Sequence, residues 1–230
     1  VFLLDVLKRI GGPGSLGFLL VGIAAGVALA CAGRRARRWA WRWLSALVAA
    51  YLVLSLPVVA SALAAYAPPA WSATHATRPA VDRLVVFDGD NRLGRAREAA
   101  AWFRAASPPP EVRVSGSPYI VDPLVEAGIP AGRFRLESAA TTRAQVTWLR
   151  GLPRGPTTVV IASRLQVPRL SALLGRAGLG YLPLIASPVD HEPPTRGPGR
   201  FLPSWSALMV SRDACYERLA LLYYRWRGWI

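Results

Sequence analysis

The apolar positions fall into two regimes. In the first third they form long uncharged runs. The uncharged run at residues 16–33 is 18 long and that at 43–66 is 24, and a bilayer core of roughly 30 Å takes about 20 apolar residues as a helix. Hydrocarbon leaves no partner for an open backbone, so each run predicts a helix. Pro57 predicts a kink in the second. Gly17, Gly22 and Gly26 predict close approach of another helix to the first. Further on the runs shorten. Short runs at residues 84–87, 112–114, 134–136, 157–162 and 181–185 predict strands. Between them lie helix patterns at 92–106, 122–127, from Thr141 or Thr142 to 149, and 167–177. A polar, Pro/Gly-rich loop at 188–203 precedes a long helix at 206–226.

Strands that alternate with helices predict an α/β domain: a Rossmann-like parallel sheet with helices on both faces, preceded by two transmembrane helices. The boundaries read as a membrane region 1–66, a Pro/Ala/Thr-rich tether 67–80 and a domain 81–230. Core helices of a soluble protein are one alternative for the two runs. A cleaved signal peptide is another, since Ala60-Ser61-Ala62 mimics a cleavage site. The preceding apolar run argues for two retained spans.

Charge adds an orientation. Residues 34–42, between the runs, hold five arginines and no acid, and Lys8 and Arg9 stand against Asp5 near the start. Short Arg-rich links stay cytoplasmic, so 34–42 is expected on the cytoplasmic side of the membrane, with both termini and everything after Tyr66 outside it. Residues 67–230 carry 21 arginines, no lysine and 12 acids, a net charge of +9. That charge suits anionic lipid or phosphorylated lipid. Nucleic acid is not expected as a partner, because no binding motif or dense basic cluster accompanies the charge. Cys31 and Cys215 have no zinc spacing, and His75 and His191 read as loop residues, so no metal site is expected. No cofactor is indicated.

In parallel α/β sheets ligands sit beyond the C-terminal strand ends. Here those ends carry Asp88-Gly89-Asp90, Ser115-Gly116, Glu137-Ser138 and Ser163. Glycine at such a turn lets backbone amides approach phosphate. Asp88 and Asp90 would instead suit a divalent cation or a sugar hydroxyl, or serve as turn residues only. Arg95 and Arg169 are the phosphate candidates, because a guanidinium grips phosphate through paired hydrogen bonds. Glu137 is the candidate base or hydroxyl acceptor, with a pKa expected to rise in a dry crevice. Ser163 can bind a ligand oxygen, but it lacks a histidine partner as a nucleophile. Thr142 reads as a helix cap. Tyr223, Tyr224, Trp226 and Trp229, with Arg225 and Arg227, suit a membrane interface. Packing on the sheet is the alternative, and Leu208, Leu219 and Leu222 point to it.

The order of these motifs carries a resemblance. A strand ends in the turn at 88–90, and Arg95 follows on the next helix. Val114-Ser115-Gly116 comes next, then Glu137 with Thr142 five residues on, then Ala162-Ser163 leading to Gln166, Pro168 and Arg169. Leu202-Pro203-Ser204 and Tyr216-Glu217 close the series. Nearly the whole chain resembles the YdcF-like family, in its ElyC/SanA branch of envelope factors. The resemblance implies a Rossmann-like domain outside the membrane and a role in envelope integrity, peptidoglycan assembly or its lipid carrier. It places Asp88, Gly89, Asp90, Arg95, Ser115, Gly116, Thr142, Gln166 and Arg169 at ligand-binding positions, and Glu137 and Ser163 at catalytic ones. The expected partners are membrane lipid and a polyprenyl-phosphate-linked envelope precursor. Two departures stand out: aspartates flank a single glycine where the family has three glycines, and Gln166 stands where the family has a histidine.

Overall fold

Glycine decides how the first two helices pair. The computed structural model of the chain describes residues 13–65, 81–139, 141–153 and 156–230. The tether, His75 and the charges at 5, 8 and 9 lie outside them. Helices α1 (Leu16–Cys31) and α2 (Arg34–Leu54) form a hairpin about Gly33, whose φ is +123°. A Cβ on Gly22 would stand 2.8 Å from Leu47, and one on Gly26 2.5 Å from Leu44. Two glycines thus admit two leucines, as close helix packing requires. Trp43 Nε1 donates to the Gly22 carbonyl at 2.8 Å, and the Tyr51 hydroxyl donates to the Ser15 carbonyl at 2.6 Å.

The boundaries differ from expectation. The arginine segment at 34–42 is not a link but the first turns of α2, because no Gly or Pro interrupts the chain between 34 and 54. The second run divides at Ser55–Leu56, and α3 (Pro57–Ala64) starts with the proline in its first turn. Proline lacks the N–H that would continue the ladder and clashes with the preceding turn. Among the described residues no single helix is long and apolar enough to cross a membrane. Together α2 and α3 meet that test, but they are bent by 73° at their break.

The chain divides into two compact units. One holds residues 1–66 and 191–219; the other holds 67–190 and 220–230. Residues 191–219, expected in the sheet domain, group with the N-terminal helices. Within this helical unit, Ser204 N donates to the Ser55 carbonyl at 2.8 Å. The Ser204 hydroxyl accepts from Ala207 N at the start of the last helix, Trp205–Trp226. Arg218 donates to the Leu63 carbonyl at 2.9 Å. Both cysteines are free.

The sheet unit is an α/β fold. Strands β1 (Arg83–Phe87), β2 (Glu111–Ser115), β3 (Phe134–Glu137), β4 (Thr158–Ser163) and β5 (Leu184–Ser187) form one sheet in the order β3-β2-β1-β4-β5. Every pairing is parallel. Side chains alternate across β1: Leu84 and Val86 enter one core, Val85 and Phe87 the other. Helices α4 (Arg92–Ala105) and α5 (Val121–Glu126) cover the first face with Ala96, Ala99, Trp102 and Leu124. Helices α6 (Thr142–Arg150) and α7 (Val167–Arg176) cover the second with Val146, Leu149, Leu170 and Leu174. Burial on both faces explains why β1 and β4 read as continuous apolar runs. The order reverses between β1 and β4, the switch point where such sheets open a crevice.

Strand β5 lies later than its expected 181–185. Leu182 N turns back to the Leu179 carbonyl, and Pro183, which has no N–H, offers only its carbonyl to Val160. The end of the strand therefore moves to Ser187.

Candidate functional site

The turn after β1 is held by side chains rather than left open. Asp88 is buried; Arg92 Nε donates to its Oδ1 at 3.0 Å and Ser117 N to its Oδ2 at 3.0 Å. Gly116, at φ +143°, makes room for it: a Cβ there would stand 2.4 Å from the Asp88 Cβ. Asp88 is thus a brace between the β1 and β2 turns. Asp90 is exposed and takes no part in it. Gly89, at φ +157°, lies against the Arg95 guanidinium, and a Cβ at this position would stand 3.2 Å from Arg95 Nη2.

The N-terminus of α4 is where a Rossmann-like unit offers amides to phosphate. Here a carboxylate fills that seat. Asp190 Oδ1 accepts from Gly94 N at 2.6 Å and Oδ2 from Leu93 N at 3.3 Å. Asp190 N in turn donates to Asn91 Oδ1 at 3.0 Å, and Asn91 holds a left-handed φ of +63°. A Cβ on Gly94 would meet the Pro188 carbonyl at 2.1 Å. The glycine in this first turn therefore serves the chain's own residues 188–190.

Deeper, polar side chains from three helices and the C-terminal segment form a continuous chain. Arg95 (2% exposed) donates from Nη2 to Gln166 Oε1 at 3.2 Å. Gln166 Nε2 donates to Thr142 Oγ1 at 3.1 Å. Arg169 (6% exposed) donates to the same Thr142 oxygen at 2.9 Å. Its Nη1 also reaches the Tyr224 hydroxyl at 3.4 Å, with its guanidinium 5.2 Å from the Tyr224 ring centre. Of the two threonines expected as alternatives for the cap, Thr142 does not serve. Thr141 caps α6 by accepting from Ala144 N at 3.1 Å, which frees Thr142 to join the two arginine branches.

Beside this chain lies a second set at the strand ends. Gln145 Nε2 donates to the Ser115 carbonyl at 2.7 Å and the Asp88 carbonyl at 3.2 Å. It ties β1 and β2 to α6. Among the described residues, the buried hydroxyls of Ser115 and Ser163 and Gln145 Oε1 have no protein partner, so each retains hydrogen-bonding capacity.

Glu137 stands apart. Its side chain is 44% exposed and its carboxylate faces Arg113 at 4.0 Å. The expected dry crevice around this carboxylate is absent, because β3 is an edge strand with partly open faces. Arg113 Nη2 is drawn instead to Glu111 at 2.7 Å. Burial works to raise the Glu111 pKa, but hydrogen bonds from Arg83 and Arg113 outweigh it and hold the carboxyl below its usual range. Among the described residues no three His, Cys, Asp or Glu side chains gather as a metal-binding group.

Sequence reasoning missed Gln145, Asp190 and Tyr224. Gln145 had a signal: it shares the buried face of α6 with Thr142, Val146 and Leu149, where a polar residue needs a partner. Asp190 had none, since its partners lie 96 and 97 residues away. Tyr224 belonged to a group with two readings. Tyr223, Tyr224 and Trp229 pack on the second core of the sheet, whereas Trp226 is exposed. Leu219 and Leu222, expected to pack, are exposed as well.

Comparison of the chain with protein-family models, with curated proteins and with solved structures finds no match.

Proposed function

We propose that this chain is a membrane-anchored factor of cell-envelope biogenesis, and that its sheet unit binds the phosphate of a lipid-linked precursor or polyprenyl-phosphate carrier. The observation that carries the reading is the approach of Arg95 and Arg169 to one Gln166–Thr142 pair beyond the strand ends. Two guanidinium groups joined by neutral donors and acceptors suit a phosphate, which accepts from both and exchanges readily with a hydroxyl or amide oxygen. Ser163 and Ser115, with free hydroxyls nearby in the same set of strand ends, suit sugar or phosphate oxygens.

The membrane part of the reading rests on the hairpin. Leu20, Val21, Val27, Val48 and Leu52 are all exposed on α1 and α2, and an apolar surface of that extent calls for lipid or a partner. The arginines in the first turns of α2 support a cytoplasmic side for that end of the helix and an outer side for the sheet unit. Trp39, Trp41 and Trp43 beside them suit the headgroup level.

Binding is favoured over processing. The carboxylate proposed as base, Glu137, pairs with Arg113 away from the arginine chain, and Gln166 cannot shuttle a proton near neutral pH. A non-catalytic scaffold is the second reading, favoured by Asp190, which already fills the helix seat that phosphate would use. The two readings part in one measurement. Full-length protein in nanodiscs is titrated with a polyprenyl phosphate and with the matching polyprenol. Binding predicts preference for the phosphate, at least about ten-fold weaker affinity for Arg169→Ala, and unchanged affinity for Glu137→Gln. Equal affinity for phosphate and alcohol leaves the scaffold.

A further inference from the structure

The loop before the last helix carries a patch that the anchoring reading does not use. Phe201 (56% exposed) ends the short turn Pro198–Phe201, Leu202 (65%) follows it, and Trp205 (69%) opens the last helix. Three large apolar side chains so close in sequence are costly to leave in water. The sequence pattern reads as a polar loop here, since Pro, Gly and Arg surround the patch.

Its position is fixed by a backbone bond. Ser204 N donates to the Ser55 carbonyl at 2.8 Å. Ser55 is the residue at which α2 ends and the chain bends into α3. The patch must therefore lie at the same depth as the end of α2. If α2 enters the bilayer from its arginine-rich start, its uncharged residues 43–54 rise about 18 Å. That passes the midplane of a roughly 30 Å core into the far leaflet without crossing it, and α3, bent by 73°, leaves the direction of α2 there. The charges agree. Arg196 and Arg200 are exposed on the same loop, with Glu192 the nearby acid, and the Arg200 guanidinium lies 4.5 Å from the Phe201 ring centre. Aromatic and aliphatic side chains beside arginine are the composition that rests in a headgroup layer.

We infer that Phe201, Leu202 and Trp205 dock into the leaflet on the outer side of the membrane, with Arg196 and Arg200 on anionic headgroups. The loop is then a second, non-spanning anchor. It fixes residues 191–219 to the bilayer independently of the hairpin. This inference rests on the membrane reading, and the experiment separates the two.

Full-length protein with Cys31→Ser and Cys215→Ser is given a single environment-sensitive label at Leu202→Cys, Val48→Cys or Leu136→Cys. Each is reconstituted in vesicles with and without phosphatidylglycerol, carrying a doxyl quencher near the headgroup or near the chain end. The label at 202 is expected to emit at shorter wavelength and to be quenched more by the headgroup quencher, as for a group about 5–10 Å into the interface. Arg196→Gln with Arg200→Gln is expected to reduce that quenching in anionic vesicles. The label at 136, exposed on β3, is the aqueous reference. Quenching at 48 but not at 202 overturns the second anchor and leaves the hairpin reading standing. A label at 202 that is shielded yet unquenched by either lipid means a protein covers the patch, which also overturns it. Loss of quenching at both positions overturns the membrane reading itself.

Discussion

Asp190 shows how much a single side chain settles. Its carboxylate takes the two amides that open α4, where the N-terminal end of the helix favours negative charge. Replacing it with Ala leaves those amides without that partner, and the loss of a helix cap costs about 0.5–2 kcal/mol. Thermal unfolding of Asp190→Ala is expected at a lower midpoint, with Asp190→Asn recovering part of the loss. Gly116 is set by two constraints at once. Its φ of +143° disfavours any L side chain, and a Cβ would stand 2.4 Å from the Asp88 Cβ. Gly116→Ala is therefore expected to destabilise the sheet unit by about 1–3 kcal/mol in denaturant titration. The same change at Gly132, where nothing lies within 4 Å, makes the comparison.

At the scale of elements, the N-terminal ends of β1 and β2 are pinned by one carboxylate. Glu111 accepts from Arg83 Nε at 3.1 Å and pairs with Arg113 at 2.7 Å. Its pKa is lower in the folded chain than in the unfolded one, because the hydrogen bonds from the two arginines outweigh the effect of burial. Its contribution is thus complete above the ordinary glutamate range, near about 4.3, and is lost as pH falls through the folded value. Glu111→Gln is expected to unfold more easily than the parent at neutral pH and to match it under acid conditions. The partly exposed side chain keeps the effect small. Elsewhere the elements follow their patterns closely. Residues 84–87 and 157–162 were readable as strands because β1 and β4 are covered on both faces. The shift of β5 to Leu184–Ser187 was not readable, since Pro183 joins the sheet through its carbonyl alone. Nor was the helical state of 34–42: charge marks an end of a membrane segment, but arginine is a good helix former.

At the scale of the whole molecule, orientation has the simplest test. A fluorescent reporter that matures only in the cytoplasm, fused after Ile230, is expected to stay dark, and a reporter active only outside is expected to work. The chain alone determined the alternation of strands and helices, hence the parallel sheet, its two covered faces and the strand ends at 88–90, 115–116, 137–138 and 163. Those features follow from local periodicity, and neighbours in sequence decide it. Tertiary structure decided the rest. It set Thr142 rather than Thr141 between the two arginines, moved Glu137 out to Arg113, and brought Asp190 to the amides of Leu93 and Gly94. It also joined residues 191–219 to the N-terminal helices. Each of these depends on which distant groups share a small volume, and hydrogen-bond partners far apart along the chain leave no period in the sequence to read.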